Sequence, residues 1–200
     1  MSNTATHPPR IPPLDPPYDA AVAAALEKMM PPNTSIEPLK LFRTLAQNVP
    51  MGDAMQALGS YVLGRKGRAL ASRDREIVID RVCARCGCEY EWGVHALAYG
   101  PRVGMSEDQI AATVLGTADD PAWSERDALL IRLVDELHDT ATVSDALWEK
   151  LAQHWTQPQL LELLLIAGWY HAISYLANGA RVEREEWAPR FPRGRRAAAT

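Results

Sequence analysis

The sequence predicts an all-helical fold. Apolar residues recur at three- and four-residue spacing through most of the chain, helix-capping signatures separate those stretches, and no convincing run of alternating strand character interrupts them. With 200 residues there is room for one domain with a substantial core and little for a second. About eight helices are expected.

The elements follow in order. Residues 1–17 are dense in proline, which suggests an extended, flexible arm able to wrap a neighbour. A helical domain over 18–188 comes next. YDAAVAAALEKMM (18–30) is alanine-rich and stops against Pro31 and Pro32, which cannot continue a helix. PLKLFRTLAQNV (38–49) places Leu39, Phe42, Leu45, Ala46 and Val49 on one helical face. GDAMQALGSYVLG repeats the pattern with Met55, Leu58 and Val62. Ser72 is suited to cap a helix whose stripe is Ile77, Val78, Val82 and Cys83.

Gly87 reads as the C-terminal cap of that helix, and another starts near Cys88 and runs to about Tyr99, where Gly100 and Pro101 end it. Ser106 with Gln109, and Thr156 with Gln159, have the spacing of capping boxes. SERDALLIRLVDELHD and SDALWEKLAQHW are amphipathic. The stretch LLLIAGWYHAISYLA is broken by His171 and follows Glu162. It reads as a buried helix, too short and too polar for a bilayer. The tail, 189–200, is basic and expected to be disordered.

Composition excludes several function classes. A hydrophobic share of 47% with 23% charged residues is that of a soluble globular protein. The net charge of -4 provides no basic field for nucleic acid. The N-terminal stretch has no apolar segment of signal-peptide length, and the three cysteines fit a reducing cytoplasm better than a disulfide framework.

The chemistry concentrates in CARCGCEYEWGVH, from Cys83 to His95. On a helix at 100° per residue, Cys88, Glu91, Trp92, His95 and Tyr99 fall in one sector of roughly 60–100°. Cys88 and His95 are separated by a rise of roughly 10 Å and cannot hydrogen-bond directly. Glu91 and His95, at i and i+4, can. A carboxylate beside an imidazole raises its basicity and can fix its tautomer, which prepares a general base. The same spacing also suits a surface pair worth a few tenths of a kcal/mol. Glu76, on the preceding helix, reaches the same place if the link at Gly87 is tight.

These residues resemble the carboxymuconolactone decarboxylase family and its alkylhydroperoxidase D-like members. The spacing is Glu76, eleven residues, Cys88, two residues, position 91, three residues, His95. The flanks DREIVIDRV, EYEWGVHALAYG and VGMSEDQI are similar too, across residues 40 to 120, and ELLLIAGWYHAISYLANGARV resembles the family's closing helix. The resemblance implies an all-helical subunit assembling as trimers or hexamers, with a pocket around Glu76, Cys88 and His95. One departure matters: peroxidase members carry a second cysteine at position 91, completing Cys-x-x-Cys ahead of the histidine. Here that position is Glu91, and Cys88 matches the resolving thiol, so the peroxidase nucleophile is missing. Decarboxylase-branch members commonly lack the pair and can carry a carboxylate there.

The cysteines leave alternatives open. Cys83 and Cys86 form a Cys-x-x-Cys out of register, at a helix C-terminus where the dipole disfavours thiolate. A bridge from Cys83 to Cys86 or Cys88 remains conceivable if the chain turns at Gly87, while Cys83 alone reads as a small core residue. A zinc site using Cys83, Cys86, Cys88 and His95 fits no common ligand spacing, so no metal is expected. His171 reads as a core histidine, with Tyr170 and His171 as alternative pocket-wall residues. His138 and His154 read as solvated.

The expectation is thus a cytoplasmic, homo-oligomeric, cofactor-independent acid/base enzyme acting on a small organic acid or lactone. His95 is the proton donor and acceptor, tuned by Glu91 and Glu76, with Trp92 and Tyr99 lining the pocket. Arg85, or alternatively Arg81 or Arg102, would hold a substrate carboxylate by forked hydrogen bonds. A hydroperoxide reductase using Cys88 with Cys83 or Cys86 is the first alternative, and a non-catalytic relative the second. Neither nucleic acid nor membrane is an expected partner.

Overall fold

The structure, a computed structural model, describes residues 8–31, 34, 36–64 and 67–194. Among them are nine α-helices, two short 3-10 turns and no strand. The outer parts of the expected arm and tail, 1–7 and 195–200, lie outside the described residues. The chain divides into two compact units: residues 1–68 with 176–186, and residues 69–175 with 187–200.

The first unit holds α1 (Ala20–Met29), α2 (Lys40–Leu45) and α3 (Val49–Leu63). Asp19 caps α1 by accepting the Val22 N–H. The single helix expected over 38–49 is interrupted, because Asn48 accepts the Met51 N–H and Pro50 occupies the first turn of α3. A 3-10 turn, Ala46–Asn48, joins the two helices. Val22, Leu26 and Ala46 form a small core with Leu14, Tyr18, Phe42 and Val49 against it. The inner arm is tied down, with the Arg10 and Ile11 amides donating to the Ala180 carbonyl.

The second unit is built round α4 (Ser72–Arg85), with α5 (Glu89–Ala98), α6 (Glu107–Leu115), α7 (Glu125–Thr140), α8 (Asp145–Ala152) and α9 (Gln157–Ala180, here to Tyr175). Every residue from Asp74 to Cys83 is buried, well beyond the apolar stripe that the spacing indicates. The buried charges are tolerated because most are paired. Asp74 takes both Arg126 Nη atoms, at 2.7 and 2.6 Å, and the Trp155 indole N–H at 2.7 Å. Arg81 forks onto Asp135 at 2.8 Å through both Nε and Nη2.

Three local expectations change. Ser72 is the first helical residue rather than the cap, and no side chain caps Ala71; the chain entering α4 is held instead by Glu162, which accepts the Ala69 and Leu70 amides at 2.8 Å. The Ser106–Gln109 capping box is complete, whereas at Thr156 the Gln159 side-chain oxygen takes both the amide and the hydroxyl of the threonine. The stretch read as too short and too polar for a bilayer forms a 24-residue helix of mean hydropathy 1.4 over its best window, long and apolar enough by those measures to cross one. Half of that window is buried within the chain, including Leu160, Leu163, Ile166, Tyr170 and Ile173, as in the core helix of a globular unit.

Candidate active site

The α4–α5 corner positions the site. Gly87 adopts φ +61°, where an L side chain is disfavoured, and the Cys88 amide donates to the Cys83 carbonyl at 2.8 Å while the Gly87 amide donates to Ala84 at 3.0 Å. That Schellman closure turns the chain sharply, with Cys88 as N-cap of α5 and Tyr99 as its C-cap. The two helices therefore pack face to face, and Glu76 meets His95. Gly93 lets the 187–194 segment close on α5: a Cβ there would sit 2.5 Å from the Pro189 carbonyl oxygen.

His95 is 3% exposed and held at both nitrogens. Nδ1–H donates to Glu76 Oε2 at 2.7 Å. Nε2 lies 3.0 Å from the Tyr170 hydroxyl, which donates to a neutral imidazole and accepts from an imidazolium. The Tyr99 ring stacks on the imidazole at 4.9 Å, and that of Tyr170 meets it edge-on at 5.1 Å. Glu76 Oε1 accepts from Arg75 Nε at 2.8 Å and lies 2.6 Å from Arg75 Nη2, so both carboxylate oxygens are engaged.

Charge is distributed unevenly here. Burial pushes the Glu76 carboxyl up, but His95 and Arg75 outweigh it and leave the group below its ordinary range. For His95, burial favours the neutral ring, yet the Glu76 charge and hydrogen bond, with Glu91 and Asp80, leave its pKa raised. Glu91 Oε2 is 3.7 Å from His95 Nε2, too long for the hydrogen bond that the i,i+4 spacing allows. Tyr170 holds that nitrogen instead. Burial raises Glu91, which His95 only partly offsets.

Asp80, one turn beyond Glu76, is fully buried with neither carboxyl oxygen hydrogen-bonded. Burial pushes its carboxyl well above the ordinary value, His95 pulls the other way, and the Glu76 charge adds to the rise.

None of the three cysteines is joined in a disulfide. Burial raises Cys88 to about 11, and Glu91 adds to that, although the Glu91 amide and the Ser174 hydroxyl work the other way. Cys83 is wholly buried, and burial raises it well above the ordinary thiol value. Among the remaining expected residues, Trp92 donates its indole N–H to the Thr113 hydroxyl at 2.9 Å and packs on Phe191, which makes it wall rather than reactive surface. Arg81 also donates to the Thr113 and Gly116 carbonyls and has a structural post. Arg85 reaches Asp139 at 2.5 Å, more than two turns along α4 from Glu76. Arg102 is exposed and, with Arg75, acts electrostatically on Tyr99.

The structure thus brings together Glu76, Glu91, His95 and Tyr99, with Cys88 near Glu91, and adds Tyr170, Arg75 and Asp80. Tyr170 was legible only as a wall residue. A second carboxylate at i+4 from Glu76, on the same face of α4, was the signal for Asp80.

The arrangement is a buried imidazole clamped between a carboxylate and a phenol in an all-helical unit. Residues 50–133 match the sequence profile of the Carboxymuconolactone decarboxylase family, to which that stretch of the chain is similar. The fold is similar to that of an uncharacterized peroxidase-related protein from Silicibacter sp. TM1040, with TM-score 0.74 and 16% identity over 96% of this chain and 100% of that one. It is equally similar, at TM-score 0.74, to an alkylhydroperoxidase AhpD core protein, also an uncharacterized peroxidase-related protein, from Ralstonia eutropha JMP134 (17% identity; 90% and 94% covered). A cysteine-to-alanine variant of the debrominase Bmp8, in complex with 2,3,4-tribromopyrrole, aligns at TM-score 0.69 with 11% identity (88% and 92% covered). No curated protein sequence matches.

Proposed function

We propose that the chain is a carboxymuconolactone decarboxylase-like enzyme that performs cofactor-independent acid/base chemistry on a small organic acid or lactone. The observation that carries this reading is His95, with Nδ1 committed to Glu76 and Nε2 facing the Tyr170 hydroxyl. Glu76 holds the tautomer and supports the imidazolium, so Nε2 is the atom that gives or takes a proton. In a decarboxylation the bond to the substrate carboxylate breaks and carbon dioxide leaves. The electron pair stays on the carbon conjugated with the lactone carbonyl, and Nε2 protonates that carbon. The ring then regains its proton from solvent. Tyr99, half-buried on the imidazole, is the side from which substrate enters, with Arg102 outside it to attract a carboxylate.

Thiol chemistry is the second reading, favoured by three cysteines outside any disulfide and close enough to influence one another. Against it, a thiol with pKa about 11 supplies roughly one thiolate in 10^4 chains at pH 7. Self-association into trimers or hexamers in the cytoplasm belongs to the same proposal; exposed Leu161, Leu165 and Tyr175 on α9 favour association.

The test has two arms. A panel of lactone acids in D2O is followed by proton NMR for decarboxylation with deuterium incorporation, in wild type, His95→Gln and Cys88→Ser. Loss of turnover with His95→Gln and its retention with Cys88→Ser supports the acid/base reading. In parallel, reduced protein is treated with stoichiometric hydroperoxide, alkylated and weighed. Rapid loss of two alkylatable thiols as an internal disulfide would replace acid/base chemistry with thiol peroxidation.

A further inference from the structure

A second cluster of reactive side chains lies away from His95. Cys86 at the C-cap of α4, His138 near the end of α7 and His171 in the middle of α9 converge: the cysteine sulfur and one nitrogen from each imidazole all lie within 4.8 Å of one another. His138 Nδ1 is 3.0 Å from His171 Nε2, and the two rings are 5.1 Å apart. The solvated place expected for His138 is therefore corrected, since it shares a half-buried corner with a thiol and a second imidazole.

We infer that Cys86, His138 and His171 form a binding site for a thiolate-seeking, tetrahedral divalent cation of the zinc type, with a fourth position open to solvent or a small ligand. The donor set is one soft sulfur and two imidazoles, the combination that such cations prefer over the all-oxygen sites of calcium or magnesium. His171 is oriented for the task. Its Nδ1 lies 3.2 Å from the Ala167 carbonyl, which can only accept, so Nδ1 carries the hydrogen and the Nε2 lone pair points at the cluster. A carbonyl on the far nitrogen is the usual support of a metal-binding histidine.

The dimensions fit. Bonds of about 2.0–2.1 Å to nitrogen and about 2.3 Å to sulfur put tetrahedral donors roughly 3.3–3.6 Å apart. Opening the His138–His171 contact by a few tenths of an ångström and drawing in the thiol would reach that geometry. All three donors are half-buried, so an ion has a path in.

The Arg85 cation does not stand alone against an incoming ion, because Asp139 and Asp135 flank it at 2.5 and 3.7 Å. Without the ion His138 Nδ1–H donates to His171 Nε2; binding moves that proton to His138 Nε2, exchanges the Cys86 thiol proton for the metal and releases the thiol proton to solvent, with no change in oxidation state.

The site shares no ligand with the His95 proposal and stands or falls separately. The experiment is titration of the full, reduced chain with zinc by calorimetry, and with cobalt(II) by absorption. The wild type, Cys86→Ser, His138→Gln, His171→Gln and, as a control, His95→Gln are compared, each first checked for helical circular dichroism. Expected are one ion per chain and a sulfur-to-cobalt charge-transfer band that Cys86→Ser abolishes. Each histidine variant should lose more than the about 10–100-fold in affinity typical of a lost supporting partner, and His95→Gln should bind like wild type. No saturable binding by wild type, or binding that survives Cys86→Ser, would overturn the assignment. Should a histidine variant fail to fold, the Cys86→Ser arm still decides.

Discussion

The buried His95 and the half-exposed His138 use the same side chain under opposite fields. His95 sits among carboxyl groups, with Glu76 hydrogen-bonded and Glu91 and Asp80 nearby, and its affinity for a proton rises despite burial. His138 sits beside Arg85 and a second imidazole, and burial and those neighbours act together to lower its affinity. The imidazole does not decide its own role; what surrounds it does. One place suits proton transfer, the other suits lone-pair donation to a cation.

The largest effect should come from removing the carboxylate that defines the first field. Glu76→Ala leaves Arg75 and His95 buried without their shared anion, and breaking a buried pair in this way costs about 3–5 kcal/mol. Urea unfolding at pH 7 measures it. A loss below about 1 kcal/mol would mean that water or another carboxylate replaces Glu76 and that the site is looser than described. The corresponding cut at the other place, His171→Gln, removes only a half-exposed partner and should cost much less.

A pH titration sharpens the contrast without mutation. NMR of the ring protons should show His95 titrating above the ordinary value of about 6.5 and His138 below it. The consequences for stability have opposite signs. The His95 contribution is fully present below about pH 6.5 and is lost as pH rises through the raised folded value. The His138 contribution is present above about pH 6.5 and is lost as pH falls through its depressed folded value. Two histidines titrating together would remove the electrostatic basis for assigning them different work.

The legibility of these places in the sequence differs for physical reasons. The helices and the Gly87 corner were readable because three- and four-residue spacing, capping residues and a left-handed glycine are local features. That Glu76 reaches the His95 pocket was readable because two helices joined by a tight corner must face each other; that it, and not Glu91, takes the imidazole N–H was not. What periodicity does not encode is which of several distant helices lands on a given face. Tyr170 was therefore no more than a wall candidate, and Glu91, well placed on its own helix, lost Nε2 to it. His138 and His171 lie on different helices, and their meeting had no local signature. Asp80 had one, but a carboxyl on a charged helix reads as solvent-facing until the whole circumference of α4 is seen to be buried.

Asp80 gives the next prediction. The folded chain holds its proton to higher pH than the unfolded chain, which releases it near pH 3.9, so stability declines as pH rises from that value through the raised folded one. Asp80→Asn abolishes this linkage. The stability difference should move in the variant's favour between about pH 4 and 7, by at most about 1.4 kcal/mol per pH unit. Parallel curves for the two proteins, from denaturant melts at several pH values, would show that Asp80 ionises in place and feeds the His95 field as an anion.

The smallest effect is expected at Arg85, whose charge is partly exposed and shared with Asp135 and Asp139. Exposed charges act weakly through water and salt. Arg85→Met removes the cation that disfavours the His138 imidazolium, so the His138 titration should move up toward about 6.5 while that of His95 stays in place. The same change withdraws a group that stabilises the Cys86 thiolate, so alkylation of Cys86 at fixed pH should slow. The two readouts test one cause from both sides, because a cation that raises the cost of protonating an imidazole must lower the cost of deprotonating a thiol beside it. If His95 shifted as much as His138, the two regions would share one field and the division between a proton-transfer site and a cation site would fail.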